Sequence, residues 1–305
     1  MNTRLILAAL ATVAALSAMP EIVHAQIFEA NLGSGTVGEY TTSGATVNAS
    51  LISGLTNPDG IAISGGNLFV TNTGIGTIGK YTTSGAPVNT TLVSVGFLST
   101  PVDLAVSGGD LFVVNFDAGT IGEYNATTGA TINASLISGL NHPFGIAVSG
   151  GNLFVTSAGA GTIGEYTTSG STVNATLVSG LLFPGRIVVS GSNLFVADTG
   201  NGRIGEYTTS GATVNATLVD GLLASPEGIA LSGGDLFVTD PGRDTIGEYT
   251  TLGATVNATL ISGLSGPEGI AVVSASVPDV SSSWILLLLA LTAILALKPL
   301  LTERA

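Results

Sequence analysis

Six tyrosines recur along this 305-residue chain at almost constant spacing, and that recurrence constrains the fold more than any other feature. They are Tyr40, Tyr81, Tyr124, Tyr166, Tyr207 and Tyr249, separated by 41, 43, 42, 41 and 42 residues. Each sits in a version of Thr-Ile-Gly-Glu-Tyr-Thr-Thr-Ser-Gly. A period of this length accommodates one supersecondary unit, so the chain must stack or ring such units to bury a core. Within one period, four short apolar or alternating segments are separated by Gly, Pro, Asn or Asp, the pattern of strands and turns. The clearest period predicts strand a at Gly60–Ser64, b at Leu68–Asn72, c at Thr77–Thr82 and d at Val88–Ser94. Strand a is nearly continuous in apolar residues, as for a strand covered on both faces. Strand d alternates apolar and polar residues, as for a strand with one wet face. Burial is therefore expected to fall from a, innermost, to d at the rim.

The chain ends discriminate a closed ring from an open stack. The first period lacks strand a and supplies b (Gln26–Asn31), c (Thr36–Thr41) and d (Val47–Ser53). The last period supplies only strand a, Gly269–Val273. Together they complete one unit, giving six sets of four strands. A β-propeller closes its ring in this way and hides both terminal edges in one sheet. A linear solenoid has no use for such complementarity and needs polar caps instead. The expected fold is therefore all-β, a six-bladed β-propeller over residues 26–276.

The fifth period carries a family likeness. Pro184-Gly185-Arg186-Ile187, followed by Asn193-Leu194-Phe195-Val196-Ala197-Asp198-Thr199-Gly200-Asn201-Gly202-Arg203-Ile204, resembles an NHL repeat. Thr239-Asp240-Pro241-Gly242-Arg243 is the next closest match, and the Ile-Gly-Glu-Tyr-Thr-Thr segment is similar to repeats of the virginiamycin B lyase propellers. WD40 repeats fit poorly, because the single tryptophan, Trp284, lies outside the ring.

Both ends read as addresses. Arg4, the apolar run Leu5–Leu16 and Val23-His24-Ala25 before Gln26 form a signal peptide over residues 1–25. At the other end, Val277-Pro278-Asp279 precedes an apolar run from Ile285 to Leu297, then Lys298 and Arg304. This arrangement over residues 277–305 resembles the VPD-type variant of the PEP-CTERM sorting signals. The resemblance implies an exosortase-type sorting enzyme as partner, a membrane helix before processing, and a destination in the cell envelope, at the cell surface or in the extracellular matrix.

Composition narrows the chemistry. Only 9% of residues are charged and the formal net charge is −13 with seven Lys and Arg, so nucleic acid is excluded as a partner. With no cysteine, disulfides, thiol nucleophiles and Cys-based metal centres are excluded as well. Residues present in every repeat are read first as fold residues. These are the tyrosines; the neighbouring Glu39, Glu123, Glu165, Glu206 and Glu248, with Lys80 in the remaining blade; and Asn48, Asn89, Asn133, Asn174, Asn215 and Asn257, each opening an Asn-x-Ser/Thr sequence on strand d.

Departures from the repeat are more informative. In the approach to strand a the blades read Pro58-Asp59-Gly60, Pro101-Val102-Asp103, His142-Pro143-Phe144-Gly145, Pro184-Gly185-Arg186, Pro226-Glu227-Gly228 and Pro267-Glu268-Gly269. The propeller resemblance implies that this segment lines the mouth of the central channel. Glu227, Glu268 and Asp59 then form an arc across three consecutive blades, with Asp103 displaced by one residue and His142 and Arg186 opposite. Such an arc offers oxygen ligands to a hard cation such as Ca²⁺, with Asp59, Glu227 and Glu268 as donors. Two functional readings follow: a binding or structural module for exopolysaccharide or a surface protein, or a metal-assisted hydrolase or lyase, lactonase-like, at the channel.

Overall fold

A computed structural model describes residues 25–274 apart from positions 95, 97 and 222. The predicted sorting signal lies outside the described residues, as does the predicted leader except for Ala25. Gln26–Val273 form one compact unit. No helix among the described residues is long and apolar enough to cross a membrane.

The chain forms six four-stranded antiparallel sheets. The first blade joins β1 (Gln26–Asn31), β2 (Thr36–Thr41) and β3 (Thr46–Ile52) to the last strand, β24 (Pro267–Val273). The second comprises β4 (Pro58–Ser64), β5 (Asn67–Asn72), β6 (Thr77–Thr82) and β7 (Pro87–Val93). The third is β8 (Pro101–Ser107), β9 (Asp110–Asn115), β10 (Thr120–Asn125) and β11 (Thr131–Ile137). The fourth is β12 (Pro143–Ser149), β13 (Asn152–Ser157), β14 (Thr162–Thr167) and β15 (Thr172–Ser179). The fifth is β16 (Pro184–Ser190), β17 (Asn193–Asp198), β18 (Arg203–Thr208) and β19 (Thr213–Val219). The sixth is β20 (Ile229–Ser232), β21 (Asp235–Asp240), β22 (Thr245–Thr250) and β23 (Thr255–Ser262). The ring is shut by β24 against β1, in a register that sets Gln26 opposite Val273 and Phe28 opposite Ala271. Each inner strand lies against the inner strands of both neighbouring blades, β24 against β4 and β20 included, so the six form an unbroken inner ring. The protein is a six-bladed β-propeller.

The repeated tyrosines pack between blades. Tyr40 of β2 is buried among Ala230, Phe237 and Ile246 of the sixth blade, and Tyr207 of β18 among Phe154, Ile163 and Val178 of the fourth. Each ring also lies across the glycine two residues before it. A Cβ on Gly38 would fall 2.7 Å from the Tyr40 ring, which is why every blade has glycine two residues before its tyrosine. The glutamate between them is tied within its own blade in three cases: Gln26 donates to Glu39, Asn152 to Glu165 at 2.7 Å and Asn193 to Glu206 at 2.7 Å. Lys80, the exception, donates to the Ala126 carbonyl of the third blade at 3.1 Å.

Burial does not fall smoothly from a to d. The second strand of each blade is the most buried, as in β17, where Leu194, Phe195, Val196, Ala197 and Asp198 are all buried. The inner strands are buried over their first half and only half-buried over the second, because they border the ring's axis and no further layer covers them. The outer strands are exposed over most of their length, apolar positions included.

Candidate functional site

The inner strands begin earlier than the turn-like Pro-acid-Gly sequences suggest: β4 starts at Pro58 and β24 at Pro267. Asp59, Asp103, Arg186 and Glu268 are therefore strand residues at the end of the inner ring, and Glu227 lies just ahead of β20. The ring is tight here. A Cβ on Gly145 would fall 2.6 Å from the Cα of Arg186, and four of the six blades carry glycine at this level. The two that carry side chains, Asp103 and Arg186, face each other, with Arg186 Nε 3.5 Å from Asp103 Oδ1.

Arg186 does not stand opposite the carboxylates, as the sequence led us to expect, but among them. From the fifth blade it crosses the ring axis to pair with Asp59 of the second blade, and it donates to the Val102 carbonyl of the third at 3.0 Å. Asp103 also faces the axis, and its Oδ2 accepts the Ile146 N–H at 2.9 Å. It stands at the position that Arg186 holds in the fifth blade, the third residue of the inner segment, and reaches the same space from the third blade. Asp59, Asp103 and Arg186 are each at most 6% exposed.

Electrostatics follow from burial. Desolvation pushes the Asp103 carboxyl up to about 6 against the pull of Arg186, and it raises Asp59 against the pull of Arg186 and a hydrogen bond from Thr73. Burial acts to lower Arg186, but Asp59, Asp103, Glu227 and Glu268 outweigh it and hold the guanidinium ionised. Glu227 and Glu268 are hydrogen-bonded to each other. Burial, then Glu227 and Asp59, push Glu268 up to about 9, so at neutral pH this pair holds a proton. Asp59 is engaged by Arg186 and Glu227 by Glu268, and among the described residues no group of three or more His, Asp or Glu side chains is arranged to hold a metal ion.

His142 lies away from the carboxylates. It is exposed, its Nδ1 is 2.9 Å from Asn141 Oδ1, and its ring sits 4.8 Å from that of Phe116. It thereby marks a feature that the sequence reading missed. Phe116, Phe144 and Phe183, from the third, fourth and fifth blades, line a cavity of about 170 Å³ together with Pro184, Thr199 and Glu227. Phe116 meets Phe144 edge to face at 6.1 Å, and the Arg186 guanidinium lies 5.3 Å from the Phe144 ring centre. Phe183 is 62% exposed and has φ of +48°, a left-handed conformation that costs a residue with a Cβ about 1–2 kcal/mol. The signal was available in the repeat: at the position of Phe116 the other blades carry Leu32, Thr73, Ala158, Thr199 and Pro241, and at that of Phe183 they carry Asn57, Thr100, His142, Ser225 and Gly266. Aromatic rings thus come from the third, fourth and fifth blades, and acids from the sixth, first and second blades and, with Asp103, from the third.

No protein-family model matches the chain, and no curated protein matches it in sequence. Solved structures match it in fold. A propeller from a nidogen/laminin complex superposes with a TM-score of 0.69 at 18% identity, over 83% of this chain and all (100%) of that one. Virginiamycin B lyase from Staphylococcus aureus gives 0.59 at 19% identity, over 83% of this chain and 82% of the other. A streptogramin B lyase gives 0.53 at 21%, over 86% and 76%. The chain shares their propeller architecture.

Proposed function

We propose that the protein is an exported binding module, directed to the envelope by its leader and tail, whose channel mouth holds a carbohydrate of the cell surface or exopolysaccharide matrix. The observation that carries this reading is Phe183. A large aromatic ring, mostly in solvent beside a cavity, does nothing for the core; its positive φ is that of the repeat, shared by Asn57, Thr100, His142 and Gly266 at the same place, so it is the exposed ring itself that fits a residue kept for a ligand. The Phe183 ring offers an apolar face to the C–H face of a sugar, Phe116 and Phe144 wall the cavity beside it, and Glu227 accepts from its hydroxyls. The nidogen structure is that of a propeller in a binding complex.

A second reading, a hydrolase or lyase acting at the channel, is favoured by the protonated Glu227–Glu268 pair beside the cavity, an arrangement suited to general acid catalysis. The similar fold of a catalytically inactive virginiamycin B lyase seen with quinupristin keeps this class in view. The two readings separate on Phe183→Gly. For the binding module, glycan-array and calorimetric signals fall at least tenfold while the melting temperature stays level or rises, since glycine relieves the strained φ. Undiminished glycan binding by this variant would count against the mouth as the site. Turnover of a bound saccharide or lactone that is lost in Glu268→Gln would favour the enzyme.

A further inference from the structure

The carbohydrate reading, on which this inference rests, leaves open which sugar suits the mouth. The aromatic side is made wholly of phenylalanine, with no tyrosine hydroxyl or indole N–H to donate to a neutral sugar's oxygens. The one charged group among the cavity's lining residues is the carboxylate of Glu227. Behind it the charges do not cancel. Asp59, Asp103 and the Glu227–Glu268 pair face the single guanidinium of Arg186, so the mouth stays acidic within a chain of net charge −13. Phe144 already has the Arg186 guanidinium 5.3 Å from its ring centre, so the exposed Phe183 ring is the free face that can attract a cation. A cavity of about 170 Å³ is of the size of a single sugar ring.

We infer that the mouth binds an amino sugar carrying a free ammonium group, as in a de-N-acetylated polysaccharide. The ammonium donates to the Glu227 carboxylate, while the C–H face of the ring lies against Phe144 and Phe183. An N-acetylated sugar loses this contact twice over, because its amide is neutral and its methyl group occupies the space in front of the carboxylate.

The test compares a β-1,4-linked glucosamine tetramer with its fully N-acetylated counterpart, by calorimetry on the purified chain at pH 6.5 and fixed ionic strength. A charge-assisted hydrogen bond is worth about tenfold or more in affinity, so the glucosamine tetramer should bind at least tenfold more tightly. Glu227→Gln should abolish that preference. Asp235→Asn removes the same charge from the start of β21, at the opposite end of a blade, and should leave the preference in place. This second variant separates the site from the general attraction between a polycation and an acidic protein. Equal affinity for the two tetramers, or a preference that survives Glu227→Gln, overturns the amino-sugar inference and leaves the carbohydrate reading standing. Binding of neither tetramer, nor of a neutral glucan, overturns both.

Discussion

The outer rim and the channel mouth of this propeller are built from the same repeat, yet they obey opposite rules. At the rim the six blades are almost interchangeable. Thr-Val-Asn-Ala-Thr-Leu and its near copies run through every outer strand, and Val47, Val173, Val214 and Val256 are all 52–54% exposed. At the mouth the blades diverge, and the equivalent second residue of the inner segment is Glu268, Asp59, Val102, Phe144, Gly185 or Glu227, with only the two glutamates alike. Uniformity at the rim reflects a local rule that each strand must satisfy alone. Diversity at the mouth reflects six blades contributing to one shared environment, in which each side chain is chosen against the others.

The sharpest way to break this contrast is at Arg186. Its guanidinium neutralises Asp59 and Asp103, both buried, and ties the fifth blade to the second and third across the axis. Arg186→Leu leaves buried carboxylates without a counter-charge, which typically costs about 3–5 kcal/mol. For a domain of this size that corresponds to a fall in melting temperature on the order of 10 °C. The loss should depend on pH in one direction. Asp103 already takes up its proton near pH 6, and without Arg186 it protonates at still higher pH, so the deficit shrinks as the pH falls toward 5. Thermal melts at pH 5 and pH 8 provide the measurement. A deficit equal at both would show that Arg186 acts through packing alone.

How much of this was legible in advance differs between the two regions for a physical reason. Strands such as Gln26–Asn31, Thr36–Thr41 and Thr77–Thr82 were read to the residue, because alternation and turn glycines act within a few positions of chain. The acids at the mouth were also found, as departures from the repeat. Their relations were not. Arg186 and Asp59 are 127 residues apart, and nothing in local pattern tells that a long side chain crosses the axis rather than standing on the far side. Asp103 and Arg186 hold the same place in two different blades, and that they meet across the ring is likewise outside any local pattern. Phe116 and Phe183 were passed over because an aromatic residue in a β protein is read first as core, and only the exposure of Phe183 shows otherwise.

A second test asks whether a departure from the repeat need be functional at all. Glu29 in β1 occupies the position held by Val70, Val113, Val155, Val196 and Val238 in the other blades. It is fully buried, bonded to Asn31 at 2.5 Å, and its Oε1 has no partner. Burial raises its carboxyl well above the ordinary value of 4.5. Below that value both folded and unfolded chains carry the proton and no electrostatic penalty arises. As the pH rises, the unfolded chain releases the proton while the folded one retains it, and stability is progressively lost. Glu29→Val should therefore stabilise the closing blade by about 1–3 kcal/mol, the scale of an unsatisfied buried polar group, with the gain larger at pH 8 than at pH 4.5. Carbohydrate binding should be unaffected. Chemical denaturation at the two pH values decides it, and a variant less stable than the parent would show that the hydrogen bond Asn31 donates to Glu29 outweighs the cost of burying the carboxyl.

The smallest expected effect is at the rim, where it completes the contrast. In each blade the strand d asparagine turns its Oδ1 to the backbone N–H two residues on, as Asn174 does to Thr176 at 3.1 Å and Asn48 to Ser50 at 3.1 Å. The ladder is irregular at the same place: Glu165 pairs with Asn174 and the adjacent Tyr166 with Thr172. The side chain therefore satisfies an edge N–H that the strand irregularity leaves open, and it does so on the outermost edge, where an unpaired N–H would otherwise invite pairing with another chain. This accounts for the asparagine at the same place in all six outer strands. Asn174→Ala removes one exposed hydrogen bond and should cost about 0.5–1 kcal/mol, or about 1–4 °C. Because every rim position acts within its own blade, Asn174→Ala and Asn48→Ala, on blades that do not touch, should add within about 0.5 kcal/mol. Arg186→Leu and Asp59→Asn, which share one ion pair, should fall far short of additivity. If the rim pair couples as strongly as the mouth pair, blades communicate through their outer edges and the division between a repeated rim and a cooperative mouth fails.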